Sequence, residues 1–335
     1  MPTRESGFSL IELLVAMTVM LLISGAAVTA LLKMTSTQAT IWNRTQMHSG
    51  IRGATEVLQQ EVGQAGRITL GGAAVTLSAN STACATAGCT TTMQVSSVAG
   101  MFDGERLVVD TNPLQETVRI VPNGINTSTN TLTVASVSAS GKVLNSHSNG
   151  ATVQVLGAFS AGVVPPLTSP SAYAPSGPTM TYGNGSTGDT LKLFGDINAD
   201  GNMVYIEYKC EIPASPSTAP GNLTRNVMPW NQTTASAAST PSQILLSNIT
   251  RNPDGSPCFT YQMNRVDTTY FVTDVAITLT VQTQLVDPVT KRFQTETKAL
   301  LNVSPRNVFN AWQLASLGIF ERVQPTPPTI TALLQ

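Results

Sequence analysis

The chain has 335 residues, with 18 basic and 19 acidic side chains and a formal net charge of −1. Charged residues are only 11% of the sequence, compared with about 25% in an average globular protein. This composition argues against a nucleic-acid-binding protein, which needs clustered Lys and Arg to neutralise phosphates. The sequence has only two histidines, His48 and His147. A His-rich metal centre is therefore excluded, and a catalytic triad would have to use one of these two.

The N-terminal region contains an apolar segment of membrane-spanning length. Phe8 to Leu32 are 25 consecutive residues with a single charge, Glu12, and a helix of that length crosses a bilayer core. Its Leu, Ile, Val and Phe side chains favour insertion by about 4 to 8 kcal/mol, whereas a central carboxylate costs about 2.5 to 3.5 kcal/mol. A plain membrane anchor would explain the length but not Glu12, because an acid inside a membrane segment usually has a functional partner.

The residues around Glu12 resemble a known processing signal. The sequence from Gly7 to Met17, GFSLIELLVAM, is similar to the class III signal of type IV prepilins and type II secretion pseudopilins. The resemblance implies that a prepilin peptidase removes the leader, residues 1–7, by cutting between Gly7 and Phe8. It also implies that Phe8 is then N-methylated. In the assembled filament, the carboxylate of Glu12 would pair with the amine of Phe8 on a neighbouring subunit and set the axial register.

The helical pattern continues beyond the apolar segment. Residues 34–66 contain no proline, and Gly50, Gly53 and Gly63 only weaken a helix. Apolar residues recur at spacings of three and four, which predicts one buried face: Met47, Ile51, Ala54, Val57, Leu58, Val62 and Ala65. We predict one helix from Phe8 to Gly66, roughly 90 Å long. Residues 8–32 would lie in the membrane or filament core, and residues 33–66 would form an amphipathic continuation packed on a β domain.

The remainder of the chain is predicted to be rich in β-strands, so the expected fold class is α+β. We expect a small β module, inserted ahead of the head, at residues 67–164, a Pro/Gly/Ser-rich linker at 165–189, a β-sheet head at 190–310 and a C-terminal tail at 311–335. Within the tail, Val323–Pro328 is expected to be extended and mobile. Eleven strands are predicted: Thr91–Ser97, Glu105–Asp110, Glu116–Val121, Thr131–Val137, Thr152–Leu156, Thr190–Phe194, Met203–Ile212, Ile244–Ile249, Cys258–Asn264, Thr273–Leu285 and Phe293–Val303.

The predicted head also resembles a narrower family. Short motifs along it are similar to the PilW-type minor pilins, which are themselves similar to the J-type pseudopilins of type II secretion: Tyr205–Tyr208, Leu223–Arg225, Leu245–Asn248, Phe259–Tyr261 and Pro305–Asn307. Relative to that pattern, Ala73–Gly157 is an insertion that resembles a small β module of bacterial surface and phage-tail proteins. We interpret Glu116 and His147 within it as structural residues.

All four cysteines, Cys84, Cys89, Cys210 and Cys258, follow the membrane segment. The positive-inside rule places that part of the chain outside the cytoplasm, where disulfides form. Four cysteines allow three pairings. The sequence favours Cys84–Cys89, around a loop of small residues, and Cys210–Cys258, between two predicted strands. A zinc site is disfavoured because the cysteines lack a C-x-x-C spacing and nearby histidines.

One segment fits the calcium-loop pattern D-x-[DN]-x-[DN]-G-x5-E at every fixed position. Its candidate calcium ligands are Asp196, Asn198, Asp200, the carbonyl of Asn202 and Glu207. The flanking residues are predicted to be strands rather than the helices of an EF-hand, and Glu207 would lie about 13 Å along its strand. The alternative interpretation is an Asp-Gly hairpin turn whose side chains bond their own backbone.

These features predict a minor pilin that is not an enzyme, because no nucleophile elbow, Walker motif or G-x-G-x-x-G is present. The alternatives are a J-type pseudopilin of a type II secretion system and a pilus-associated adhesin that binds through the inserted module. The expected partners are other pilins or pseudopilins, the prepilin peptidase/methyltransferase and an inner-membrane assembly platform, with no nucleic acid. The chain would span the inner membrane once, with its head in the periplasm, before it joins a pilus or pseudopilus.

Overall fold

The computed structural model describes residues 9–71, 74–138, 140–166, 184–214, 219–232 and 242–333. The predicted leader and the cleavage site at Gly7 and Phe8 lie outside these residues, as does most of the predicted linker. The chain forms two compact units. The first contains Met1–Gly50 and Val281–Glu296, and the second contains Ile51–Thr280 and Thr297–Gln335.

The predicted N-terminal helix is confirmed: α1 runs from Leu10 to Gln64. Within the second unit, its buried face repeats at spacings of three and four: Ile51, Ala54, Leu58, Val62 and Ala65. The chain leaves the helix at Gly66, which has φ +82°. A side chain at this position would also come within 2.8 Å of Val308, so both the backbone conformation and the packing require glycine.

An antiparallel six-stranded sheet follows the helix. Its strands are β1 (Val75–Thr76), β2 (Thr90–Gln94), β3 (Arg106–Val109), β4 (Glu116–Asn126), β5 (Thr131–Ser136) and β6 (Thr152–Val155). Their order across the sheet is β1-β6-β3-β4-β5-β2. Apolar side chains from alternate positions form one core, which includes Met93, Leu107, Ile120 and Val134. The next strand, β7 (Ala158–Phe159), is not part of this sheet.

A second, seven-stranded sheet forms the rest of the β structure. Its strands are β8 (Thr190–Gly195), β9 (Val204–Cys210), β10 (Gly221–Pro229), β11 (Gln243–Thr250), β12 (Phe259–Val266), β13 (Thr269–Gln282) and β14 (Thr295–Val303). The strand order is β12-β13-β11-β10-β9-β8, and β14 pairs with β13. Each of the eleven predicted strands overlaps an observed one, whereas β10 and the two-residue strands were not predicted.

The C-terminal residues pack against the fold. In the segment predicted to be extended and mobile, Val323 and Gln324 are extended but buried as a strand, and Pro328 begins a helix. The predicted boundary between head and tail, at residues 310 and 311, lies inside another helix. The C-terminal residues form helix α2 (Arg306–Ser316), strand β15 (Val323–Gln324) and helix α3 (Pro328–Leu333). Strand β15 pairs in parallel with β7. The physical reason is apolar spacing: Val308, Ala311 and Ala315 of α2 are buried on one face. Ile330 and Leu333 of α3 enter a core that also contains several aromatic rings.

A buried ion pair connects α1 to the seven-stranded sheet. The guanidinium of Arg225 on β10 donates to Glu61 on α1, at 2.6 Å to Oε1 and 3.2 Å to Oε2. The hydroxyl of Tyr208 on β9 also donates to Glu61 Oε2. Burial acts to lower the pKa of Arg225, but the hydrogen bond and charge of Glu61 outweigh it and raise that pKa. Because each charged group is paired and hydrogen-bonded, the cluster is tolerated in the core.

We predict that Arg225→Ala destabilises the protein by about 3 kcal/mol, because it leaves the buried Glu61 carboxylate without its cation and with only the Tyr208 hydroxyl as a donor. Replacing both partners, as Glu61→Leu/Arg225→Met, should recover much of the loss. Denaturant unfolding of the full-length protein in detergent measures both effects. Arg52→Gln is the matched control, because the Arg52–Glu56 pair on the same helix is exposed, and it should cause no measurable change. Equal stability of Arg225→Ala and wild type would contradict the prediction.

A second buried acid lies at the start of β3. Glu105 is fully buried, and its Oε2 accepts the backbone N–H of Phe102 at 3.2 Å. Its Oε1 has no hydrogen-bond partner among the described residues. Burial raises the pKa of Glu105 to about 8, although the hydrogen bond from Phe102 acts in the opposite direction. The carboxyl group is therefore protonated in the folded protein at neutral pH.

This pKa predicts a pH dependence of stability. The folded state keeps the Glu105 proton up to about pH 8, whereas the unfolded chain releases it near its ordinary pKa of 4.5. Rising pH therefore favours unfolding across this window, at up to about 1.4 kcal/mol per pH unit. Glu105→Gln should remove this contribution and raise stability at pH 8. Denaturant unfolding of both proteins at pH 5 and pH 8 tests it, and an unchanged slope in Glu105→Gln would contradict it.

Candidate functional site

The first part of α1 exposes an apolar surface within its own compact unit. The large apolar side chains from Leu10 to Leu32 are between 48% and 78% exposed. One described helix, α1, is long and apolar enough to cross a membrane. Soluble proteins rarely expose continuous apolar surfaces larger than several hundred Å². This surface therefore requires a bilayer or other apolar helices around it.

The two threonine hydroxyls in this segment bond to carbonyl groups of the helix itself. The hydroxyl of Thr18 donates to the carbonyl of Val15 at 2.8 Å, and that of Thr29 donates to the carbonyl of Gly25 at 2.8 Å. A hydroxyl bonded within its own helix has little need of water. These residues therefore add little to the cost of placing α1 in an apolar environment.

Glu12 caps the N-terminus of α1. Its Oε2 accepts the backbone N–H of Ser9, the residue before the helix, at 3.1 Å. This is the backbone half of a capping box, in which the acid at the third helical position satisfies an unpaired N–H group. The positive end of the helix dipole favours a carboxylate at the same place. Sequence analysis did not identify this role, although the S-x-x-E spacing from Ser9 to Glu12 is the pattern that indicates it.

The comparisons with known proteins also point to the N-terminal segment as the functional site. Residues 2–28 match the family described as the Prokaryotic N-terminal methylation motif. No curated protein and no solved structure matches the chain. The motif indicates a type IV pilin-like or pseudopilin substrate of prepilin peptidase, and it implies assembly with other pilins. Together with the apolar helix, it fits membrane anchoring before assembly. Proteins with this motif are structural rather than enzymatic.

The predicted disulfide pairing is confirmed. Cys84 is bonded to Cys89, and Cys210 is bonded to Cys258. The second bond connects the end of β9 to the residue before β12 and closes a loop with a sequence separation of 48. A loop of this length corresponds to about 4 kcal/mol in the chain-entropy model.

The candidate calcium ligands are divided among other interactions. The side chain of Asp196 is buried, and its Oδ2 lies 3.5 Å from the guanidinium of Arg67. Its Oδ1 accepts the N–H of Asp200 at 3.1 Å, and Oδ1 of Asp200 accepts the N–H of Asn202 at 2.9 Å. Glu207 lies within β9 and accepts the hydroxyl of Tyr205 at 3.3 Å, while Asn198 is exposed. These bonds favour the Asp-Gly turn, and calcium binding stays a prediction that requires these residues to rearrange.

We expect calcium to leave the melting temperature unchanged, because Arg67 already neutralises Asp196 and the two turn carboxylates hold backbone N–H groups. Thermal melting in millimolar calcium against chelator measures this. If calcium were bound at 100 times its dissociation constant, it would add about 2.7 kcal/mol of stability. A shift in the wild type that is lost in Asp196→Ala/Asp200→Ala would therefore contradict the turn and establish the calcium site.

The two histidines have carboxylate partners. His147 is fully buried between two acids, with Nδ1 3.2 Å from Asp110 Oδ2 and Nε2 2.9 Å from Glu116 Oε1. This arrangement agrees with the interpretation of Glu116 and His147 as structural residues. The hydrogen bond from the Thr111 backbone and that from His147 lower the pKa of Asp110. His48 on α1 is exposed and pairs with Glu296 within the first compact unit.

The role of the motif can be tested at Gly7 and Glu12. We predict that mass spectrometry of the wild-type protein finds a chain that starts at methylated Phe8. Gly7→Leu should leave the full-length precursor in the membrane. A chain that starts at Met1 would contradict the cleavage site, as would one that starts after the small residues Ser24–Ala27, where a signal peptidase could cut.

Two substitutions of Glu12 separate charge pairing from helix capping. Both Glu12→Val and Glu12→Gln should be cleaved, because the cut lies between Gly7 and Phe8. The amide of Glu12→Gln still accepts the Ser9 N–H but carries no charge for the Phe8 amine. If charge pairing sets the register, both variants should assemble poorly in pull-downs with other pilin subunits. Normal assembly of Glu12→Gln would show that capping is sufficient.

Proposed function

We propose that the protein is a minor pilin of a type IV pilus, placed at the tip or in the complex that primes assembly. The observation that carries this proposal is the N-terminal methylation motif at residues 2–28 on a helix whose apolar surface has no cover in the described fold. Removal of the leader would free an amine at Phe8, next to the Glu12 carboxylate. Packing between such helices would bury the apolar side chains and pair these two groups.

The size of the β-rich part supports a low-copy position. It contains two sheets of six and seven strands, and a repeating shaft subunit must pack many copies side by side. A bulky head is easier to place at a filament end, where one side has no neighbour. The motifs that resemble PilW-type minor pilins support the same position. They also fit a J-type pseudopilin, which would prime a short periplasmic pseudopilus for protein secretion.

Non-enzymatic function is part of the proposal. A catalytic histidine needs a ring nitrogen free to take a proton from a nucleophile. Both ring nitrogens of His147 face carboxylates, so neither is free to take a proton from a nucleophile. His48 is exposed and pairs with Glu296. A second, non-enzymatic role for the six-stranded sheet is ligand binding. In that case the protein would be a pilus-associated adhesin.

Two experiments test the proposal. The first deletes the gene and counts pili. The second labels the protein on wild-type cells with gold-conjugated antibodies raised against the purified head. We expect fewer pili in the deletion strain and sparse labelling at filament ends in the wild type. The Gly7→Leu variant should not restore piliation, whereas a matched exposed substitution, Leu144→Ser, should restore it. Normal piliation with a loss of protein secretion would contradict the proposal and identify a pseudopilin. Labelling along the whole shaft would contradict the tip position.

A further inference from the structure

The second compact unit contains an open groove at the place where its two large sheets meet. Its volume is about 490 Å³, which lies within the range of small-molecule sites, roughly 300 to 1,000 Å³. Four segments line it: the chain just after α1, the β2–β3 connection, the start of β9 with the residues before it, and the end of β10. We call it the Trp230 groove, after the largest side chain in its lining. Its polar and aromatic lining residues are Thr69, Asn202, Trp230 and Asn231.

Backbone rather than side chains forms part of the groove wall. Three lining residues are glycines, Gly71, Gly100 and Gly201. A side chain at Gly100 would come within 3.0 Å of the Gly71 nitrogen. A side chain at Gly71 would lie 3.7 Å from the carbonyl oxygen of Ala99 and 3.9 Å from that of Gly201. Three chain segments therefore approach each other closely, with no side chain on these glycines to fill the groove.

The hydrophobic core holds Trp230 in the groove wall. Its ring packs edge-on against the buried ring of Phe102, with the ring centroids 6.0 Å apart. The Thr329 hydroxyl donates to the Trp230 carbonyl at 2.9 Å. Trp230 itself is only partly buried. It therefore packs on the core and presents the rest of its surface to the groove as a fixed apolar platform.

Unused polar groups surround this platform. Asn202 and Asn231 are exposed, and their side-chain amides make no hydrogen bond to any residue that the structure describes. An Asn amide offers two donor hydrogens and an acceptor oxygen. The backbone of Asn202 is fixed, since its N–H donates to Asp200 Oδ1 at 2.9 Å. The Thr69 hydroxyl donates to the neighbouring Leu70 carbonyl at 3.3 Å, and its oxygen can still accept a hydrogen bond.

The charge of the lining restricts the ligand. None of the described residues that line the groove is charged. Asp200 is close in sequence, but its carboxylate holds the Asn202 N–H. Phosphate or carboxylate ligands are bound by Arg or Lys side chains, and calcium is bound by carboxylates. The groove therefore favours an uncharged ligand with hydrogen-bonding groups of its own.

The sheet topology disfavours an extended peptide as this ligand. Such peptides usually add to the free edge of a sheet, where backbone groups are unpaired. Strand β9 pairs with both β8 and β10, and β10 pairs with both β9 and β11. Val204 and Pro229, the residues through which these two strands line the groove, pair with each other. The groove thus offers side chains and loop backbone instead of a sheet edge.

We propose that the Trp230 groove binds a neutral saccharide. A sugar ring carries C–H groups on one face, which pack on an indole ring. It also carries hydroxyl groups around its edge, which bond to amide donors and acceptors. The groove would supply a ligand class for the adhesin alternative, since Ala99 and Gly100 connect two strands of the six-stranded sheet. The inference does not rest on the minor pilin role, because the groove requires neither leader cleavage nor a filament, so the two can fail independently.

The test titrates neutral saccharides into the purified full-length protein and follows binding by saturation-transfer NMR. The probes are galactose, N-acetylglucosamine, maltose and lactose, in a detergent without a sugar headgroup that would compete. We expect at least one of them to bind, with the strongest transfer at the C–H protons of one ring face. The double variant Asn202→Ala/Asn231→Ala should bind about tenfold more weakly, which is about 1.4 kcal/mol and corresponds to two lost hydrogen bonds.

Matched variants separate binding from folding. Both asparagines are exposed, so the double variant should keep the wild-type melting temperature. Asn149→Ala changes an exposed asparagine outside the groove and should bind like the wild type. Trp230→Phe keeps an aromatic ring against Phe102 but reduces the platform, and it should also weaken binding.

Three results would overturn the inference. The absence of transfer to all four saccharides would exclude saccharide binding. Equal affinity of the wild type and Asn202→Ala/Asn231→Ala would place the binding outside the groove. Transfer to the uncharged peptide acetyl-trialanine amide, lost in the double variant and seen with no saccharide, would identify a peptide groove instead.

Discussion

A helix of 55 residues cannot be covered by the fold that follows it, and this constraint shapes the rest of the molecule. Only the residues from Ile51 onward bury a full face in the second compact unit. Before them, from Leu10 to Leu32, the large apolar side chains have no cover in the described structure. The free energy of that exposed surface is recovered only in a bilayer or among other helices. The apolar surface of α1 is therefore covered only when the protein is in a membrane or a filament.

The same helix shows why Glu12 is compatible with both environments. An acid in an apolar segment is costly unless it is paired. Here it lies in the first turn, where it accepts the Ser9 N–H and benefits from the helix dipole. The carboxylate is thus stabilised before any neighbouring subunit is present. The Phe8 amine of a neighbouring subunit would be a second partner. It would select the correct neighbour, but it would not have to offset the whole free-energy cost of placing the Glu12 carboxylate in an apolar environment.

The sequence predicted the elements well where local pattern decides them. The helix ends were predicted within two residues, because the three-and-four spacing and the absence of proline are local signals. β10 was missed because Gly221, Asn222 and Asn226 have low strand propensity, and pairing with β9 and β11 forms the strand nonetheless. α2 was not predicted, although the spacing of Val308, Ala311 and Ala315 indicates one buried helix face directly after Pro305.

The candidate site was predictable to a different extent at each residue. The motif around Gly7 and Glu12 is contiguous, so the sequence alone indicated it. The hydrogen bond between Ser9 and Glu12 is also indicated by the sequence, through the S-x-x-E spacing of a capping box. By contrast, the ion pair between Glu61 and Arg225 joins residues 164 positions apart, and the hydrogen bond from the Thr40 hydroxyl to Asp287 spans 247 positions. No local pattern indicates such partners, because the topology of the sheets brings them together.

The six-stranded sheet resembles an insertion in sequence, yet the C-terminal segment binds it into the second unit. The side-chain amide of Gln324, which is fully buried, donates to the carbonyls of Arg106 at 2.8 Å and Leu156 at 3.0 Å. Its oxygen accepts the Arg106 N–H at 3.0 Å. A side chain at Gly157 would collide with the backbone of Arg322, which shows how closely the two segments approach.

These contacts determine how a role of that sheet in adhesion can be studied. Removing residues 73–157 would take away Arg106 and Leu156, whose backbone groups make these hydrogen bonds with the Gln324 amide. Each lost hydrogen bond costs about 0.5 to 1.5 kcal/mol. A loss of binding after such a deletion could then come from damage to the C-terminal packing alone. Substitutions at exposed positions on the far strands, such as Thr90 and Thr92 of β2, leave these contacts intact and separate binding from folding.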